Sequence, residues 1–171
     1  MKLSKLTRAA ILAALTAIAT LVIPVPIPGG GYANAGDIVV LMCGFILGPG
    51  LGALAAGIGS AIADLSLGYT MYAPGTLVIK AATAAVAGLI YLGLSKKLHA
   101  AAAMPAAGVA GECVMVLGYF GYETLIISSA AAAAVGMLPN IFQGVVGVVG
   151  ATALMLALKK PLARLNHSEI K

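Results

Sequence analysis

Lys80 and Glu112 most demand a chemical explanation, because each is an ionisable side chain set inside a long apolar run. A charge in such a setting costs several kcal/mol unless it is paired or hydrated, and it is by default a functional group. At about 1.5 Å per helical residue, Lys80 falls about 9 Å and Glu112 about 15 Å from the tyrosine-bearing ends of their runs. The two side chains are therefore expected to meet. Such a pair is structural if it only neutralises itself. It is functional if Lys80 donates to a ligand hydroxyl or phenolate oxygen while Glu112 sets its protonation, and the two roles can coexist.

More hydrogen-bonding groups gather toward the same end. Tyr32 and Asn34 lie in the first connection, Asp37 opens the second run, Asp64 closes the third, and Tyr69 and Tyr72 follow it. Glu123 follows the fifth run, and Asn140 opens the sixth with Gln143 one turn on. A crown of this kind around one end of an apolar bundle suits the capture of a small polar ligand, with Asp37 and Asp64 shaping the rim. Ordinary helix-end carboxylates and interfacial tyrosines occupy similar positions without any ligand. Glu112, Tyr119 and Glu123 recur at helical spacing along one stripe with Tyr122 beside it. Asn140, Gly144, Gly147 and Ala151 share another face, where small residues allow close packing. Tyr and Phe rings supply surfaces on which an aromatic ligand can stack.

The elements that must hold these groups follow from composition. Hydrophobic residues make up 61% of the 171-residue chain and charged residues only 9%, far from the soluble average of roughly a quarter charged. Lipid is the solvent such a chain requires, and backbone groups in lipid must be paired inside helices or a closed barrel. Long runs rich in Ala, Leu, Ile, Val and Gly choose helices over the short alternating strands of a barrel. Runs at 9–23, 36–47, 50–67, 74–94, 100–122 and 140–158 predict an all-α membrane protein, a bundle of about six transmembrane helices in a single domain. Pro24 to Gly31 reads as a loop, Gly48-Pro49-Gly50 as a tight turn, Pro74 as a helix start, and the Ala-rich stretch before Pro139 as a semi-polar connection.

Nine of the ten basic residues fall in three clusters, at Lys2 to Arg8, at Lys96-Lys97 and from Lys159 to Lys171. An even number of spans separates each cluster from the next, so the positive-inside rule puts both termini in the cytoplasm. A cleaved signal peptide ending near Ala33-Asn34-Ala35 is the less favoured reading, since removing the first span breaks that parity. Cys43 and Cys113 lie in apolar runs with no metal-ligand spacing and read as buried thiols. His99 and His167 fall in cytoplasmic segments. No P-loop, HExxH or GxSxG occurs, so the chain offers no catalytic grouping, no metal site, no cofactor motif and no ATP site of its own. The bases form no nucleic-acid-reading patch.

Span one carries Ala9, Ala13 and Ala17 with Ala10 and Ala14 beside them, a small-xxx-small surface open to another helix of this chain or of a partner. Together with Gly36-Asp37 through Gly44, Leu47 through Ala53, Gly57 through Asp64 to Gly68-Tyr69, Tyr72 through Lys80, and Leu138-Pro139-Asn140-Ile141-Phe142-Gln143, the chain resembles the S components of energy-coupling factor (ECF) transporters. Within that family the match is nearer to the hydroxymethylpyrimidine or pyridoxine branch than to the thiamine or riboflavin branches, and the lack of Trp fits poorly with thiamine-type stacking. The resemblance implies a multi-pass protein of the bacterial plasma membrane with six helices and a ligand site near the outer face, closed by the first outer loop. It implies as partners a vitamin or precursor, a membrane-embedded coupling protein docked on the span-one alanines, and two cytosolic ATPases. It further implies that the loaded subunit topples in the bilayer to release its cargo. Lys80, Asn140, Glu112, Tyr119 and Tyr69 are the expected ligand neighbours. A stand-alone secondary transporter or channel would need a polar path from face to face, and a membrane enzyme a catalytic cluster; the sequence shows neither.

Overall fold

A computed structural model describes the backbone of residues 3–27, 31–127 and 129–168, and the side chains of residues 5–158 among them. Lys2, His167 and the C-terminal bases thus lie outside the described side chains. The elements are α1 (Leu3–Val22), β1 (Val25–Pro26), β2 (Tyr32–Ala33), α2 (Gly36–Ser66), α3 (Ala73–Leu94), α4 (Ala100–Ile127) and α5 (Ala130–Ser168). Among the described residues, five helices are long and apolar enough to cross a membrane. The chain is an all-helical, multi-pass membrane protein. Exposed side chains such as Ile11, Leu54, Val78, Leu89, Leu125 and Val149 form the apolar exterior that lipid requires.

The count of five rather than six separate helices comes from α2, which runs 31 residues but is broken at Gly48 (φ 77°). Glycine tolerates that left-handed backbone, and Pro49 suits the first turn of the helix's second half. The chain reverses here. A Cβ built on Gly52 would sit 2.5 Å from the Cys43 carbonyl oxygen, whereas an uninterrupted helix holds residues nine apart at about 13.5 Å. The two halves of α2 therefore pack side by side, joined by the turn expected at Gly48-Pro49-Gly50. Val40, Cys43, Ala55 and Ala56 form their seam together with Ala9 and Leu12 of α1. Small residues let these backbones approach, and dispersion contacts along the seam replace the hydrophobic drive that lipid does not supply.

Two expected connections differ. The Pro/Gly-rich segment is no simple loop: Val25 pairs with Ala33 and Pro26 with Tyr32 in a short antiparallel hairpin. The Ala-rich stretch is helix, so α5 begins at Ala130 and Asn140 lies about three turns inside it instead of opening it. Alanine is the strongest helix former, and Ser129 Oγ caps the new start by accepting from Ala132 N at 3.2 Å. For the same reason Glu123 is inside α4, which continues to Ile127. Pro74 does start its helix. Cys43 is buried, but Cys113 is exposed.

Three threonine hydroxyls embedded in the apolar body are satisfied locally. Thr16, Thr20 and Thr83 each donate to the carbonyl four residues back, at 2.8 Å, the back-bonding that lets a hydroxyl sit in a nonpolar helix bundle.

Candidate ligand-binding cavity

At the end of the bundle opposite Lys5, Arg8 and Lys96-Lys97, the helices converge on a polar cavity. It is lined by Thr20 and the hairpin's Tyr32 and Asn34, by Ser60 and Asp64 of α2, by Thr76 and Lys80 of α3 with Tyr72 just before it, by Tyr119 and Glu123 of α4, and by Asn140 and Gln143 of α5. Most of these were expected from the sequence as site residues or members of the outer loop. Thr20, Ser60 and Thr76 were not. A signal existed, since Thr76, Lys80 and Thr83 are polar positions at i, i+4 and i+7 of one apolar helix.

The electrostatic anchor is not the expected one. Lys80 Nζ lies 2.5 Å from Asp37 Oδ1, with both side chains buried, and 5.2 Å from the centre of the Tyr119 ring. Asp37 is therefore no rim residue: it is fully buried at the back of the cavity as the partner of the lysine. Its other oxygen accepts from Gln143 Nε2 at 2.5 Å, and Gln143 Oε1 accepts from Asn34 N at 2.7 Å. One carboxylate thus ties α3, α5 and the hairpin together. Satisfying both oxygens in this way is what makes a buried ion pair tolerable.

Glu112 does not meet Lys80 in an ion pair. Its carboxylate packs where Cβ atoms on Gly144 and Gly147 would lie 3.3 and 3.1 Å from its oxygens. It lines a separate groove of about 450 Å³ between α4 and α5, whose other walls are Val109, Val116, Leu117, Ile141 and similar side chains. A groove of that composition on the exterior suits acyl chains. The α2–α3 contact is the most extensive in the fold, and it pairs Lys80 with Asp37; Glu112 comes no closer than the neighbourhood of Asp37, since a Cβ on Gly147 would lie 3.0 Å from Asp37 Cβ and 3.1 Å from Glu112 Oε1.

Tyr69 is also outside the lining. Its ring stacks behind Tyr32, with centroids 4.7 Å apart, and meets Tyr72 edge-on at 6.1 Å. Tyr32 in turn donates to Asp64 Oδ1 at 2.6 Å, so Asp64 is a buried wall of the cavity rather than a rim. Tyr119 and Thr76 share a hydrogen bond of 2.9 Å. The hairpin is therefore held over the cavity by two hydrogen bonds, Tyr32 to Asp64 and Asn34 to Gln143, besides the Tyr32–Tyr69 ring contact.

Burial, reinforced by Asp64, pushes the Tyr32 phenol well above its ordinary value. Burial and then the Glu123 carboxylate push Tyr72 up to about 12 from 10.0. Raised values favour the neutral phenols in the folded state, so their stabilising contribution is present below pH 10 and is lost as pH rises toward 12. Tyrosinate absorbance of the folded protein at pH 11 is expected to fall short of the denatured value, and equal absorbances would contradict this placement.

A family profile described as the ECF-type riboflavin transporter, S component, matches residues 1–160. The chain belongs to this family. A relative described as an uncharacterized protein in gap 3′ region, from Pyrococcus woesei, is 33% identical over 144 residues, covering 84% of this chain and 93% of the relative. A solved structure described as the S component of a bacterial ECF transporter superposes with a TM-score of 0.64 over 95% of this chain and 96% of that one. At 20% identity that likeness speaks for the fold alone. Membership makes this a transporter subunit from a family that is not one of enzymes, and it implies a small-molecule substrate and an ECF module as partner.

In this S component the small-residue surface of α1 divides in two. Ala9 and Ala17 are buried, and a Cβ on Gly59 would strike the Ala13 carbonyl, so this stripe packs against α2 within the chain. Ala10 and Ala14 are exposed. Of the five alanines expected to meet a partner, Ala9 and Ala17 are thus taken up by packing within the chain, and Ala10 and Ala14 are left exposed.

Proposed function

We propose that this S component captures a small hydroxylated aromatic heterocycle, of the vitamin B6 or hydroxymethylpyrimidine kind, from the extracellular side. It passes the cargo to a membrane-embedded coupling protein driven by two cytosolic ATPases. The observation that carries this reading is the enclosed polar cavity around Lys80, set in an otherwise apolar bundle at the end away from the basic clusters. By the positive-inside rule that end faces outward. Counting α2 as two crossings, one on each side of the reversal at Gly48, this reading has six in all with both termini inside. Asn140, Tyr119, Tyr72, Gln143, Asp64 and Glu123 surround the ligand beside Lys80, while Asp37 holds the lysine from behind. Glu112 and Tyr69 support these walls, and the exposed Ala10–Ala14 side is offered to the coupling protein.

The cavity measures about 20 Å³, room for about one water, against roughly 300–1,000 Å³ for pockets that hold drug-sized ligands. Entry therefore requires the hairpin to lift, breaking the Asn34–Gln143 and Tyr32–Asp64 contacts. A single-ring ligand demands the least opening. Riboflavin, named in the family description, is the second reading, and its tricyclic ring requires a much larger movement.

Reconstitution in liposomes tests the role. Uptake of labelled pyridoxine or hydroxymethylpyrimidine is expected only when the coupling protein, the ATPases and ATP are present; flux through this chain alone would indicate a self-sufficient transporter. Gln143→Leu removes the tie between hairpin and ion pair. It is expected to raise ligand dissociation rates by about tenfold, roughly 1.4 kcal/mol, as read by stopped-flow displacement, and an unchanged rate would show that the hairpin does not gate the cavity.

A further inference from the structure

Among the described residues, two buried polar atoms of the cavity wall have no hydrogen-bond partner: Ser60 Oγ and Asp64 Oδ2. Both residues line the cavity and are nearly sealed from solvent, at 2% and 3% exposure. They stand one turn apart on α2, at the i, i+4 spacing that places side chains beside one another. Leaving such atoms unpaired is unfavourable by about 1–3 kcal/mol each, so a ligand that pairs them gains what the empty cavity forgoes.

The charge of the wall narrows the choice. Lys80 is the one basic side chain in the described lining, and Asp37 already neutralises it. Asp64 and Glu123 remain as carboxylates that form no ion pair among the described residues. An anionic ligand, a phosphate ester above all, meets uncompensated negative charge. A donor-bearing ligand meets an acceptor.

Resting on the reading of this cavity as the substrate site, we propose that the cargo is an unphosphorylated aminopyrimidine recognised through its amidine edge by Asp64 and Ser60. The exocyclic N–H donates to Asp64 Oδ2, and the Ser60 hydroxyl donates to the adjacent ring nitrogen. Tyr32 keeps the other Asp64 oxygen engaged, so Oδ2 is held in place to accept. A pyridine whose hydroxyls stand away from the ring nitrogen offers no exocyclic N–H beside a ring-nitrogen acceptor. A 4-oxo pyrimidine reverses the pattern at the same edge, presenting an acceptor to the carboxylate.

Calorimetry on the purified full chain distinguishes these ligands, with 4-amino-5-hydroxymethyl-2-methylpyrimidine, its 4-oxo counterpart, its phosphate ester, pyridoxine and riboflavin as probes. The amino compound is expected to bind at least tenfold more tightly than the 4-oxo compound and pyridoxine, with no measurable binding of the phosphate ester. Asp64→Asn, whose amide can donate to an oxo group, is expected to erase or invert the amino-over-oxo preference. Ser60→Ala, a smaller change to the fold, is expected to weaken the amino compound several-fold while leaving pyridoxine unaffected. Equal affinities for amino and oxo compounds, or tighter pyridoxine or riboflavin binding that still requires Lys80, overturn the aminopyrimidine assignment and leave the cavity as the site. Binding of none of the probes overturns the assignment and the heterocycle reading together.

Discussion

Lys80→Met is expected to lose ligand binding by well over tenfold and to lower the stability of the purified protein at the same time. The two losses have different origins. Binding falls because the cavity loses its one basic donor, and tenfold corresponds to about 1.4 kcal/mol. Stability falls because Asp37, fully buried and still bonded to Gln143, keeps its charge without a cation; breaking a buried pair from one side costs about 3–5 kcal/mol. The double variant Lys80→Met, Asp37→Asn separates them. Removing the orphaned charge is expected to restore most of the thermal stability in detergent but none of the affinity, a non-additivity typical of residues in direct contact. Wild-type affinity in the single variant would remove Lys80 from the site.

The second large effect concerns the reversal in α2. Gly52→Leu puts a side chain where the Cys43 carbonyl oxygen lies 2.5 Å and the Gly44 Cα 3.0 Å from the new Cβ. Backbone cannot rotate aside as a side chain can, so the two halves of α2 must separate, at about 3 kcal/mol or more. The expected result is protein that aggregates on extraction or melts far below the wild type. Gly93→Leu is the control, since nothing lies within 4 Å of its Cβ position, and it is expected to behave as wild type. Equal stability of the two variants would contradict the side-by-side packing of the α2 halves.

What the sequence disclosed is uneven in an instructive way. Helical class, membrane setting and the grouping of polar residues at one end were legible because apolar runs and charge clusters are local signals. Pairing was not. Lys80 and Glu112 matched in depth along their own helices, yet which carboxylate meets the lysine depends on how α3 packs against α2 and α4, and no single run encodes that. Asp37 looked like a helix-end acid near water, and only the fold reveals that its end of α2 is capped by the hairpin and buried. The break at Gly48 was legible as a turn because glycine and proline carry their backbone preferences with them. The helix through Ala130–Pro139 was obscured by the proline and by weak amphipathic pattern, although alanine's propensity argued for it. Ser60 passed unnoticed because a serine in a small-residue helix ordinarily serves close packing; its unpaired hydroxyl becomes visible only beside Asp64.

The S-component account turns on whether a small molecule sits among Lys80, Asp64 and Asn140. Native mass spectrometry of the chain released gently from its membrane measures this directly. The account predicts one single-ring heterocycle bound per chain in the wild type, and none in Lys80→Met even when that variant is stabilised by Asp37→Asn. A heterocycle retained undiminished by the double variant would contradict it, because the cavity built around Lys80 would then not be where the cargo is held.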